Sequence, residues 1–167
     1  QHVTEPVHVA ASEVAVLQPP LERTDTEMPE PRTHGGLRRR HRAMAELWPD
    51  LTDELMWTNL PEATLHALSR GVGTVIPPRA PRRGSESTAR RMHRLINASG
   101  ASGLVPDPTT MSAIGHTPGR TQLACVTFAC TGGPLATPDL LASLQAVLPN
   151  AQIATVYGSR DAGAIGS

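Results

Sequence analysis

The sequence predicts an α/β fold: a mostly parallel sheet with helices on its faces. Three observations carry that prediction. Short apolar runs alternate with helix-like stripes from residue 60 to residue 157. The run at 121–131, "TQLACVTFACT", is apolar almost throughout, as a strand covered on both faces must be. The stripe at 137–148, "TPDLLASLQAVL", has the cap, first-turn proline and leucine spacing of an amphipathic helix. Alternation of strand and helix defaults to parallel strands joined by crossover helices.

The elements are expected as follows. Residues 11–18, "ASEVAVLQ", read as one strand, and the proline-rich charged stretch at 19–36 as a loop. Residues 38–48 form a helix with Met44 and Leu47 on one face, ended by Pro49. In "LPEATLHALSRG", Pro61 starts a helix, Leu65 and Leu68 point inward, and Gly71 stops it. A buried strand follows at 72–78 and a loop at 78–87. The helix at 87–100 is capped by Ser87 or Thr88, closed by Gly100, and buries Met92, Leu95 and Ile96. A strand is expected at 102–107, a helical turn within 108–116, the strand at 121–131, the helix at 137–148 and a last strand at 151–157. Thr137 caps that helix, and Leu140, Leu141, Leu144, Val147 and Leu148 form its stripe.

Composition excludes several chemistries. All fifteen basic residues are arginine, so a lysine nucleophile, Schiff base or phosphate-binding lysine is absent from this sequence. Formal net charge is zero, which gives no overall field for nucleic acid or anionic membrane. The arginine-rich runs at 38–42 and 90–94 read as solvated helix faces. Aromatics make up 2%, so the core is built mainly from aliphatic side chains. Cys125 and Cys130, five apart in one strand, point to opposite faces and act as small buried hydrophobes rather than a disulfide. No histidine spacing suggests a metal site, and no apolar run is long enough to span a membrane. The opening "QHVTEPVHVAASEV" has no signal pattern, so the chain is expected to be cytoplasmic and a piece of something longer.

Two turns follow buried strands. In "CTGGPLATP" (130–138), Gly132 and Gly133 let a flat ligand or a phosphate approach the backbone. In "YGSRDAG" (157–163), Tyr157 offers a flat face and Gly158 permits a sharp turn. Ser159 can donate to a phosphate oxygen, Arg160 can pair with one, and Asp161 can hold magnesium. In a parallel sheet both turns lie at strand C-terminal ends, where ligands bind.

Together, residues 126–167 resemble the middle of the adenylate-forming (AMP-binding) superfamily, which includes acyl-CoA synthetases. The order "TGGPL", leucine-rich helix, "LPNA", strand, "YGSRDAG" is similar to that family's "(S/A)GGAPL", helix, "LPGA", strand and "YG-x-TE-x-G". Residues 59–83, with "VIPPRAPRR", resemble fatty acyl-CoA ligase-like and β-lactone synthetase-like members, and residues 34–48 resemble the helix after the phosphate loop. The resemblance covers about three quarters of the chain. It implies a partial, degenerate large N-terminal domain, with a leader at 1–33 holding the phosphate-loop region and an α/β part at 34–167. It also implies ATP or AMP and Mg2+ as cofactors. Gly132, Gly133, Pro134, Tyr157 and Gly158 would line adenine beside Ser159. Arg160 would stand at the α-phosphate threonine position, and Asp161 at the magnesium-holding glutamate.

The sequence departs from the pattern. Where a Ser/Thr/Gly-rich phosphate loop with its lysine is expected, it has "LERTDTEMPEPRTHGG", retaining Thr24, Thr26 and Thr33. The later ribose-binding aspartate, the hinge and the C-terminal domain with its catalytic lysine are not in this sequence. Three functions follow as expectations. The first is a degenerate domain, inactive alone, whose ancestral reaction activates a fatty acid or other carboxylate as acyl-AMP. The second is an active subunit of such a ligase. The third is a non-enzymatic interaction module that associates with itself or with a remainder of the fold.

Overall fold

The computed structural model describes residues 7–18, 28–48, 55–77, 86–117, 121–132, 136–159 and 163–166. The chain divides into two compact units, residues 1–46 and 47–167.

In the first unit, β1 (Val14–Gln18) pairs antiparallel with β2 (Glu30–Thr33). Residues 30–33, expected as loop, are therefore a strand. Arg32 lets charged "EPRT" pair: its Nε donates to Gln18 Oε1 at 2.9 Å and its Nη1 meets Glu30 Oε1 at 2.8 Å. Helix α1 (His34–Leu47) follows at once, starting earlier than the sequence suggests. Thr33 starts it, its Oγ1 accepting from Gly36 N at 3.1 Å. Arg38, Arg39 and Arg42 are exposed, as expected for a solvated face.

The second unit holds a sheet in the order β4-β3-β5-β6-β7-β8. The strands are β3 (Leu55–Trp57), β4 (Gly73–Val75), β5 (Gly103–Leu104), β6 (Phe128–Gly132), β7 (Gln152–Ser159) and β8 (Gly163–Gly166). The first five are mutually parallel; β8 returns antiparallel to β7. The crossover helices are α2 (Pro61–Ser69), α3 (Glu86–Ser99), α4 (Pro108–Gly115) and α5 (Pro138–Val147). This is the α/β fold the alternation predicts. Among the described residues no helix is long and apolar enough to cross a membrane.

Register divides the core into two faces. Trp57, Leu104, Ala129 and Ile153 form one row across the sheet. They pack under Met92 and Ile96 of α3, Met111 and Ile114 of α4, and Leu140, Leu144 and Val147 of α5. On the other face, Met56 and Phe128 flank Gly103. There Trp48 sits edge-on to His66 of α2, with ring centroids 4.8 Å apart, and 6.3 Å from Phe128. Burying an aromatic side chain of this kind contributes about 2–3 kcal/mol.

Three helix ends lie where the sequence marks them. Thr137 Oγ1 accepts from Leu140 N, and Pro138 opens α5. Gly71 (φ +76°) ends α2, with Gly71 N donating to Leu68 O and Val72 N to Ala67 O, a left-handed closure that favours glycine. Gly100 (φ +66°) closes α3 likewise.

Further expectations are corrected. The buried strand expected at 72–78 is only Gly73–Val75, part-exposed at the end of the strand order, and Ile76 is exposed. Helix α2 buries Ala63, His66 and Ala67, leaving Leu65 43% and Leu68 56% exposed. Small residues let the helix sit close to the sheet, and Trp48 supplies the bulk against His66. Helix α3 begins at Glu86, so Ser87 and Thr88 lie inside its first turn rather than at the cap. The apolar run at 121–131 is strand only from Phe128. Leu123 and Val126 are fully buried in a turn instead, where Val126 N donates to Leu123 O and Leu123 N to Val147 O of α5. Cys125 thus lies outside any strand, half-buried, whereas Cys130 is buried in β6; both are free thiols. Finally, His93 within the arginine run at 90–94 is buried, not solvated.

Candidate functional site

The strands that lead to the two segments singled out by sequence, β6 and β7, are adjacent. β6 and β7 run parallel, with Cys130 opposite Ala154, Thr131 opposite Thr155 and Gly132 opposite Val156. Gly132 therefore ends β6 opposite Val156, one residue before Tyr157 of the neighbouring strand. Gly132 is held there by a close approach. A Cβ on it would lie 2.4 Å from Val156 O, a position backbone already occupies. Its missing side chain is thus demanded by the neighbouring strand. Gly133, Pro134, Arg160 and Asp161 lie outside the described residues.

Tyr157, Gly158 and Ser159 do not form the turn. They continue β7 and pair with β8, Tyr157 with Gly166, Gly158 with Ala164 and Ser159 with Gly163. The register slips between Tyr157 and Gly158, and a glycine suits such a bulge. β7 thus runs through the glycine at which the sequence places a sharp turn, up to Ser159. Gly158 is not among the described glycines with positive φ, which are Gly71 and Gly100.

Around this rim, β6 supplies two contrasting groups. Thr131 Oγ1 is buried and has no hydrogen-bond partner among the described residues. A buried hydroxyl without a partner costs about 1–3 kcal/mol, so its position next to Gly132 stands out. Cys130 is unsuited to nucleophilic work: burial pushes its thiol up to about 11, against a smaller opposing hydrogen bond involving Trp48.

Sequence reasoning missed a second cluster on the same rim. β3 and β5 are neighbours, but the helix after β3 covers one face and the helix after β5 the other. Such a switch point opens a crevice at the strand C-terminal ends. Asn59 follows β3 and Asp107 follows β5 there. Asp107 N donates to Asn59 Oδ1 at 2.8 Å, and Asn59 Nδ2 reaches Asp107 Oδ2 and, at 3.3 Å, Thr110 Oγ1. Asp107 also caps α4, accepting from Thr110 N at 3.0 Å and Thr110 Oγ1 at 2.7 Å. Burial acts to raise its carboxyl, but hydrogen bonds from Thr110, Asn59 and the Thr110 and Thr109 backbone outweigh this and hold it below its ordinary 3.8. Beneath it, Thr58 Oγ1 donates to Val105 O at 2.6 Å and accepts from Leu60 N at 3.0 Å. The cluster satisfies itself and ties β3, β5 and α4 together. "DP" before a helix is the one sequence signal that pointed to it.

In the first unit, the resemblance places a phosphate loop between β1 and β2. Thr24 and Thr26 lie outside the described residues. Thr33 is engaged as the α1 cap. Among the described residues no group of three or more His, Cys, Asp or Glu is placed to hold a metal ion.

No protein-family model and no curated protein matches this chain. Solved structures do. A luciferase-like enzyme from the nonluminescent mealworm Zophobas morio aligns over 97% of this chain and 38% of its own, at 17% identity and a TM-score of 0.68. A nonribosomal peptide synthetase, FmoA3, in its AMPPNP-bound form aligns over 78% of this chain and 15% of its own, at 18% identity and a TM-score of 0.64. A long-chain-fatty-acid–CoA ligase from Archaeoglobus fulgidus aligns over 78% and 28%, at 13% identity and a TM-score of 0.58. The chain thus carries the fold of part of the N-terminal domain of adenylate-forming enzymes. It spans less than half the length of the structures it matches.

Proposed function

We propose that this chain is a degenerate adenylate-forming domain, derived from an enzyme that activated a carboxylate with ATP as acyl-AMP, and that it does not catalyse this reaction alone. The observation that carries the reading is the parallel pairing of β6 and β7, which brings Gly132 opposite Val156 and within one residue of Tyr157 at one rim. This supports a slot for adenine walled by Gly132, Gly133, Pro134, Tyr157 and Gly158, with Ser159 beside it. The AMPPNP bound by the matched peptide synthetase supports a nucleotide as ligand. The unpartnered Thr131 hydroxyl beside Gly132 is a polar group that a bound molecule would satisfy. Asp161 is this chain's candidate for magnesium, and Arg160 its candidate for phosphate.

The matched long-chain-fatty-acid–CoA ligase supports a fatty acid as the ancestral substrate. Loss of activity is argued from the residues. Phosphoryl transfer requires several preorganised cationic and backbone donors at once, and this sequence has no lysine. ATP–pyrophosphate exchange with a panel of fatty acids and amino acids tests the proposal. No exchange is expected. Exchange that disappears in Asp161→Ala would establish an active subunit instead.

One observation favours an interaction role as a second reading. Among the described strands β4 lies at the edge, and Leu65, Leu68 and Ile76 are 43%, 56% and 66% exposed in α2 and beside β4. Open edges with apolar surroundings favour association. Light scattering across a concentration series decides it: a concentration-independent monomer removes this reading.

A further inference from the structure

We propose that the outer edge of β7 docks the same strand of a second copy of this chain. The proposal rests on the interaction reading above and names its surface and its partner. Strand β7 runs from Gln152 to Ser159, but its two neighbours share it unequally. β6 lies along Gln152–Val156, whereas β8 takes only Tyr157–Ser159 on the other side. Among the described residues no strand pairs with the outer side of Gln152–Val156.

The backbone direction along this stretch follows from its bonds. Each residue of a strand turns its N–H and C=O to one side, and successive residues alternate. Gln152 N donates to Thr127 O, and Val156 O lies 2.4 Å from where a Gly132 Cβ would stand. Gln152, Ala154 and Val156 therefore face β6. Ile153 and Thr155 turn two N–H and two C=O groups outward. Tyr157, next in that series, pairs with Gly166 of β8 on the same side.

Native edges are guarded by charge, by proline or by a covering element. Residues 140–159 hold no charged residue, and β7 holds no proline. The bulge at Tyr157 and Gly158 lies beyond the free stretch. Ile153 to Val156 are only half-buried and Gln152 is exposed, whereas Phe128 to Thr131 of β6 are buried.

The edge is complementary to itself. A two-fold axis at Ala154 sets the two copies antiparallel, the direction β8 already takes beside β7. Ile153 then stands opposite Thr155 of the second copy, and Thr155 opposite its Ile153. Each such pair exchanges two hydrogen bonds, so every outward group is satisfied. Ala154 meets Ala154 in the close position, about 4.5 Å between Cα atoms, where a small side chain fits. Gln152 lies opposite Val156, and no charge faces its own kind.

Amide hydrogen exchange of the wild-type chain at low and high concentration, alongside light scattering, tests this. Association is expected as concentration rises, with the Ile153 and Thr155 amides slowed at least about tenfold. The Ala154 and Val156 amides, bonded to β6, should be slow throughout. Thr155→Pro removes an outward donor and leaves the β6 ladder intact. It should raise the dimer dissociation constant about thirtyfold, the worth of two hydrogen bonds, one from each copy. Replacing exposed Leu65 and Leu68 of α2 by serine should leave that constant unchanged. If the chain associates while Ile153 and Thr155 exchange fast at every concentration, the proposal is overturned and the interaction reading stands. A monomer at every concentration ends both. The exchange measurement needs no variant, so it decides the question even if Thr155→Pro does not fold.

Discussion

Replacing Gly132 by alanine adds one carbon where the neighbouring strand already stands. That carbon would lie 2.4 Å from Val156 O, against a limit of 3.0 Å below which real contacts essentially never fall. The obstacle is backbone, so no rotamer relieves it. β6 and β7 must part by the difference, 0.6 Å at least. Ladder bonds of about 2.9 Å would stretch to about 3.5 Å, the edge of useful geometry. Overpacking contributes about 1–3 kcal/mol and a weakened ladder bond about 1 kcal/mol, so we expect a loss of about 3 kcal/mol. This is a large share of the about 5–15 kcal/mol that holds a domain together. Urea unfolding should show a lower midpoint at unchanged slope, and thermal unfolding a Tm lower by about 6–12 °C. Gly73→Ala is the control. Its added carbon meets only the Leu55 Cδ1 methyl, at 2.9 Å, which can swing aside, so less than about 1 kcal/mol is expected. If Gly132→Ala behaves like the control, β6 and β7 are not paired in this register.

Other outcomes follow from single groups. The Asp107 carboxyl is held below 3.8, so its contribution is fully present above that value and is lost as pH falls through the folded-state value. Asp107→Asn should lower stability at neutral pH by about 1 kcal/mol and flatten the acid limb of a circular-dichroism titration; an unchanged acid limb contradicts the assignment. Thr131→Val replaces an unpartnered buried hydroxyl by a methyl of similar size, and should raise the stability of the ligand-free chain by about 1 kcal/mol. A loss of similar size would mean the hydroxyl has a partner. Thiol labelling should modify half-buried Cys125 well before Cys130, whose thiol is buried and pushed up to about 11; equal rates would contradict that burial.

The sequence was most legible where local chemistry decides the structure. Thr137 with Pro138, and glycines at 71 and 100, mark helix ends because their geometry depends on few neighbours. The alternation of elements sufficed for a parallel sheet. Tertiary packing decided the rest. In α2 two faces competed, and the face of Ala63, His66 and Ala67, with Trp48 against His66, won over the larger Leu65 and Leu68. The run at 121–127 is apolar because Leu123 and Val126 plug the core from a turn, and burial alone does not reveal extended structure. β3 escaped notice because three residues, "LMW", are too few to show a period, although Met56 and Trp57 are among the largest buried side chains. At the rim, the two glycine-bearing segments were recognised by their order, but the extension of β7 through Ser159 depends on β8, whose "GAIG" carries no strand signature. Asn59 and Asp107 are 48 residues apart, and only the fold joins them.

The proposed site stands on β6 and β7 lying side by side in the same direction. Interstrand NMR contacts between backbone protons of residues 130–132 and 154–156 measure this directly. Contacts that step forward together, Cys130 with Ala154 through Gly132 with Val156, are the predicted result. Contacts running in opposite order, or residues 130–132 paired with another segment, would contradict it.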